Sequence, residues 1–339
     1  MKKVCVILGA GASKDAWSKG GPPRQNSWTP PLANELFQFD TRDLFWQVAK
    51  DYRGVRVLAP HLAERCNASL EEKLLELSQH PDSRLRDCYR DVPPYLRDLI
   101  LRVTDGYTQN VSPGSHLHLV GSLFGTGHQV AFLDLNYDDY LEKALADFDD
   151  RLAIKRIRDY VNGDESIVGK VHGSIHWGVP LRWLGTFEDT LAQFGGMTPY
   201  AEVVWSGSRQ PAREWFAPGG KEALLYPVLT APLAGKDHTA LVCTRDTLQR
   251  LQAFLKGCTH YIVIGTSGQD ADLLGFLAQS VSSVQVVHYV NFQQEATREC
   301  QVRVETGCPS FKAASSHVLY PHGFRTYVGS EQFQAFLRP

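Results

Sequence analysis

Three short stretches of the sequence hold residues able to do chemistry. Asn136-Tyr137-Asp138 follows the apolar run Val130–Leu135, and an amide and a carboxylate at a strand end can orient a polar ligand or a water. On its own the pattern also reads as a helix start, with Asn136 as the cap and Asp138 and Asp139 favouring the first turn. His172 lies in Lys170-Val171-His172-Gly173-Ser174-Ile175-His176-Trp177, just past the strand-like run Ile167–Val171. An imidazole at a strand end, followed by glycine, suits proton transfer near neutral pH, and a purely structural histidine is the plain alternative. Gly9-Ala10-Gly11-Ala12-Ser13 carries little reactive chemistry of its own. Five small residues after a strand nevertheless let backbone N–H groups approach a pyrophosphate.

Other chemistries fit less well. His172 and His176 are four apart, a spacing that pairs ligands on a helix. Their glycine and β-branched context is not helical, and no cysteine or carboxylate completes a set. His116-Leu117-His118 is likewise unpartnered, so no metal is expected. The seven cysteines are odd in number, scattered, and contain no C-x-x-C. That pattern favours reduced thiols in a cytoplasmic protein over a disulfide frame or a zinc module. A net charge of −2 without a long basic run points to no direct nucleic-acid partner, and no apolar stretch reaches membrane-span length. The opening MKKVCVIL could resemble a secretion signal, but its apolar run Val4–Leu8 is shorter than the roughly 7–15 residues such a signal needs.

These groups need elements to position them. Val4–Leu8, Val130–Leu135, Ile167–Val171, Tyr261–Ile264 and Val284–Val290 read as buried strands, and Tyr140–Phe148, Thr244–Lys256 and Asp270–Ser280 as helices. Strands alternating with helices predict an α/β fold, a doubly wound, Rossmann-like parallel sheet with ligand groups just past the strand ends. Gly265-Thr266-Ser267 after the fourth of these strands is either a second backbone cradle or an ordinary turn, with Asp270 capping the next helix. Residues 40–126 read mostly helical, as in Leu70–Leu77 and Tyr95–Leu101, and residues 178–223 show no clear period. The expectation is one domain, residues 1–339, with its core at about 1–39 and 127–339, a helical insertion at about 40–126 and an irregular one at about 178–223. A dehydrogenase does not fit. The loop lacks the third fingerprint glycine, and Gly20–Trp28 is loop where a ribose-binding acidic residue would stand.

Taken in order, strand–GAGAS, strand–NYD, strand–HGS and strand–IGTS resemble the sirtuin (SIR2) superfamily, and within it the SIR2-like domains of bacterial anti-phage defence proteins. Pro30–Phe37 is similar to that family's segment after the first loop. The resemblance covers roughly residues 3–37, 130–177 and 224–290. It implies that Gly9, Ala10, Gly11, Ala12 and Ser13 hold the pyrophosphate of NAD, and that Gly265, Thr266 and Ser267 line its adenosine side. It further implies that Asn136 contacts the nicotinamide ribose and orients a water, that Asp138 holds the carboxamide, and that His172 acts on the ribose hydroxyls. Sirtuin deacylases carry two C-x-x-C pairs after the HG, whereas this chain has no cysteine between His172 and Cys243. The resemblance therefore implies NAD+ hydrolysis by a defence effector with NAD as substrate, acting in a homo-oligomer or with a partner subunit. A protein deacylase and a non-catalytic NAD- or ADP-ribose-binding regulatory subunit are the alternatives.

Overall fold

The computed structural model describes residues 2–16, 30–32, 35–37, 43–63, 76–77, 80–108, 114–162, 166–193, 203–229 and 245–338. Ten strands occur among them: β1 (Lys3–Leu8), β2 (Gln129–Asp134), β3 (Val161–Asn162), β4 (Ser166–Lys170), β5 (Gly173–Arg182), β6 (Val204–Trp205), β7 (Ala223–Leu229), β8 (His260–Ile264), β9 (Val286–Val290) and β10 (Ser316–Tyr320). Seven form one sheet in the order β10-β9-β8-β1-β2-β4-β3. The first six run parallel, and β3 closes the edge antiparallel to β4. Strand order reverses at β1, with β2 and β4 on one side and β8, β9 and β10 on the other, which is the topology of a doubly wound sheet.

The apolar runs explain the sheet. Val4 to Leu8 are each at most 1% exposed, as a parallel strand covered on both faces must be. The expected strands and helices appear with ends shifted by a residue or two. The helices are Tyr140–Phe148, Arg245–Lys256 and Ala271–Ser280, and the last is capped by the Asp270 side chain, which accepts from the Leu273 N–H.

Residues 43–108 contribute the helices Asp43–Ala49, Arg53–Ala63, Ser83–Tyr89 and Val92–Thr108. Their apolar faces, with Val48, Val55, Tyr95 and Leu99, bury against Leu224 and Tyr226 of β7 in a core distinct from that of the large sheet. Helix Gly114–Gly125, also within the expected insertion, packs Leu119, Val120 and Leu123 into the main core instead. Residues 178–223, expected to be irregular, contribute the end of β5 and all of β6 to a second, antiparallel sheet ordered β6-β5-β7. Within them β5 supplies only residues 178–182 and β6 only Val204–Trp205, pieces too short for a period to show. Leu70–Leu75, Gly20–Trp28, Ala33 and Asn34 lie outside the described residues. Among the described residues no helix is long and apolar enough to cross a membrane.

Candidate functional site

Four of the predicted loops meet at the C-terminal edge of adjacent parallel strands, where sheet order reverses. Open α/β sheets place their ligand crevice at such a point. Gly9–Ser13 follows β1, Asn136–Asp138 follows β2, His172 follows β4 and Gly265–Ser267 follows β8.

The loops after β1 and β8 lock together. Gly9 N–H donates to the Ile264 carbonyl at 2.9 Å, Gly11 N–H to the Gly265 carbonyl at 2.8 Å, and Ala12 N–H back to the Gly9 carbonyl at 2.8 Å. A Cβ on Gly9 or Gly11 would lie 2.7–2.8 Å from Gly265 backbone atoms, and Gly265 itself has φ +64°. The glycines are thus required by loop–loop packing, where the sequence suggested close approach to a ligand. Three of the expected pyrophosphate-facing amides are spent in closing this turn. Asn291, at the end of β9, extends the same wall by donating from Nδ2 to the Thr266 carbonyl at 3.2 Å.

Asn136 does not cap the helix that follows it. Its Nδ2 donates to the Gly9 carbonyl at 3.1 Å, which ties the loop after β2 to that after β1. Asp138 takes the helix-start role, accepting from Tyr140 N–H at 3.1 Å, while its other oxygen accepts from the Ser13 hydroxyl at 2.6 Å. Both carboxylate oxygens of Asp138 are engaged within the chain. All three side chains are buried: Ser13, Asn136 and Asp138.

Beneath them lies Lys170, whose ammonium is fully buried. It donates to Asp134 Oδ2 at 2.8 Å, to the Asn136 carbonyl at 2.9 Å and to the Asp138 carbonyl, and it faces Glu142 at 3.3 Å. One cation with three donors thereby fixes the backbone of Asn136-Tyr137-Asp138 from below. Burial raises the Asp138 carboxyl to about 6 against the pull of Lys170, and raises Glu142 to about 7. Lys170 keeps its proton because the neighbouring carboxylates, Asp134 foremost, outweigh the cost of burying it. Sequence reasoning gave Lys170 no role. The signal was present, since Asp134 and Lys170 are opposite charges closing two otherwise apolar runs, and the register pairs them directly.

His172, also buried, places Nε2 at 2.5 Å from Asp270 Oδ2. Tyr137 stands beside it with ring centroids 6.5 Å apart. Burial opposes ionisation of Asp270, but the imidazole and the N–H groups of Leu273 and Asp272 win and hold its carboxyl below the ordinary value. His176 belongs to a separate cluster on β5: Nε2 faces Asp139 at 3.2 Å and Nδ1 faces the Ser206 carbonyl at 3.1 Å. Arg209 bridges Asp139 and Asp105 in the same cluster. Among the described residues no group of three or more His, Cys, Asp or Glu side chains is arranged to hold a metal ion.

No protein-family model matches the chain, and no curated protein matches it. Solved structures of Sir2 homologues are similar at the level of the whole chain. A Sir2 homologue mutant with 2'-O-acetyl ADP-ribose has a TM-score of 0.44 and 14% identity, covering 99% of this chain and 91% of its own. A second mutant with ADP-ribose gives 0.44 and 14%, covering 100% and 95%. A Sir2 homologue–NAD complex gives 0.44 and 14%, covering 99% and 91%. Likeness of this degree decides nothing about the site, whose reading rests on the chain's own residues.

Proposed function

We propose that the chain is an NAD+ glycohydrolase that cleaves NAD+ to nicotinamide and ADP-ribose, acting as the NAD-depleting effector of an anti-phage defence system. The observation that carries this reading is the placement of Asn136 and His172, the amide and the imidazole of the sequence motifs, at the ends of neighbouring β2 and β4, beside β1 where the strand order reverses. The reaction suits these groups. Nicotinamide leaves as a neutral molecule, so departure needs no acid, and the protein has to hold the ribose, stabilise an oxocarbenium-like centre and place a nucleophile. Water adds to the anomeric carbon as the C–N bond breaks, and the proton it sheds must pass to a base or to solvent.

In this reading Asn136 orients the ribose and that water, and His172 acts on the ribose hydroxyls. Asp138 takes up the carboxamide by exchanging it for the Ser13 hydroxyl that Oδ2 accepts here, and Gly9–Ser13 and Gly265–Ser267 flank the diphosphate and adenosine. Motif order supports the defence role, as does the lack of any cysteine between His172 and Cys243 from which a deacylase-type zinc module could be built. The helical segment within 40–126 and residues 178–223 are the parts proposed to contact sister subunits or a partner subunit.

The test is nicotinamide release from NAD+ by the purified protein, with and without an acyl-lysine peptide. Release without peptide is expected, falling at least 100-fold in Asn136→Ala and in His172→Ala, a loss typical of a missing proton-transfer or positioning group. Release only with peptide would favour deacylation. Phage protection that survives both substitutions would favour a non-catalytic module.

A further inference from the structure

We infer that Asp270 is a positioning residue for His172, holding the imidazole through Nε2 and thereby assigning the basic lone pair to Nδ1. This rests on the reading of His172 as the group that acts on the ribose.

The geometry is specific. His172 comes from the loop after β4 and Asp270 from the loop after β8, and β1 and β2 lie between those strands in the sheet. The contact joins the two sides of the crevice at 2.5 Å, with the side chains 8% and 14% exposed. Asp270 is itself held. Its Oδ1 accepts the Leu273 N–H at 2.9 Å as the cap of helix Ala271–Ser280, which leaves Oδ2 to face the ring. A carboxylate anchored on a helix start cannot swing away without uncapping that helix. An ionised carboxylate only accepts hydrogen bonds, so the ring nitrogen facing it must carry the hydrogen. In the neutral ring the other nitrogen then has the lone pair that can take a proton.

A contact that merely staples two loops predicts something different, and Asp270→Asn separates the two. Asparagine caps a helix about as well as aspartate, so the cap at Leu273 survives. Its carboxamide then presents N–H donors to the ring, which favours the opposite tautomer, with hydrogen on Nδ1. Replacing an orienting carboxylate by its amide costs about 10⁴ in kcat in Ser-His-Asp hydrolases for this reason.

The experiment uses the full chain with 15N-labelled histidine, the His172 signal being assigned by its loss in His172→Gln. Hydrogen on Nε2 is expected in the wild type and on Nδ1 in Asp270→Asn, with an unchanged melting temperature. NAD+ turnover should fall about 10²–10⁴-fold in kcat with KM little altered. A wild-type ring carrying its hydrogen on Nδ1, or an Asp270→Asn protein with wild-type kcat, would overturn the inference. Absence of NAD+ turnover in the wild type would instead sink the glycohydrolase reading, and the nitrogen spectra would still decide what Asp270 does to the ring.

Discussion

Glu142 lies 3.3 Å from a buried ammonium and is nevertheless harder to ionise than an ordinary glutamate, because burial and the neighbouring Asp134 and Asp139 outweigh the attraction of Lys170. Its folded-state pKa is raised to about 7, so native Glu142 keeps a proton that an unfolded chain has already released. The stability this adds is fully present below the unfolded value and is lost as pH rises through about 7. Glu142→Gln removes the titration while keeping the shape and the contact with the Tyr160 hydroxyl at 3.1 Å. Urea midpoints of both proteins between pH 5 and pH 8 should show the variant gaining on the wild type as pH rises; a constant difference would mean that Glu142 does not titrate in this range. Part of this cluster could be read in advance. A lysine ending an apolar strand needs a buried anion, and Asp134 ends the run that turns out to be its neighbour. Glu142 could not be foreseen, because its inward turn depends on where the helix Tyr140–Phe148 lands.

The loop after β8 is tightly constrained. Gly265 combines φ +64° with a position where a Cβ would lie 2.2 Å from the Ala12 nitrogen. Gly265→Ala must therefore separate the loops after β1 and β8, and we expect it to destabilise the protein by about 2–4 kcal/mol, from left-handed strain plus displaced packing. A melting temperature within a degree of wild type would show that the loops part without cost. Arg97, in helix Val92–Thr108, performs a comparable task between the helical segment and the small sheet. Its guanidinium donates to the carbonyls of Ile175, Ser208 and Gln210 and to Asp98, and stacks at 3.8 Å on Trp215. Arg97→Met leaves the buried Ile175 carbonyl and Asp98 carboxylate without this partner and should cost about 3–5 kcal/mol, with faster amide exchange over residues 203–216 as its signature. Elements that announce themselves by continuous apolar runs, such as β1, β2, β4 and β8, were visible in the sequence. Strand β7 was hidden by Pro227, which normally argues against an interior strand, and β10 by its exposed first residues Ser316 and His317.

At the level of the molecule, the order of strands along the chain differs from their order in the sheet. Motif order allowed the doubly wound sheet to be anticipated, since each chemical group followed a strand. The second sheet and the separate helical core were not visible, because they depend on distant contacts such as Tyr95 and Leu99 against β7. The same mismatch bears on how the protein is made. Strand β1 is the earliest of these strands to be synthesised, yet its hydrogen-bonding partners begin at Gln129 on one side and His260 on the other. At about 5–20 residues per second, translation leaves that apolar strand without its second neighbour for tens of seconds. Through that interval Val4–Leu8 is an unpaired hydrophobic edge on the nascent chain. The speed with which β8 closes against β1 through Gly265 is therefore expected to bear on the yield of folded protein.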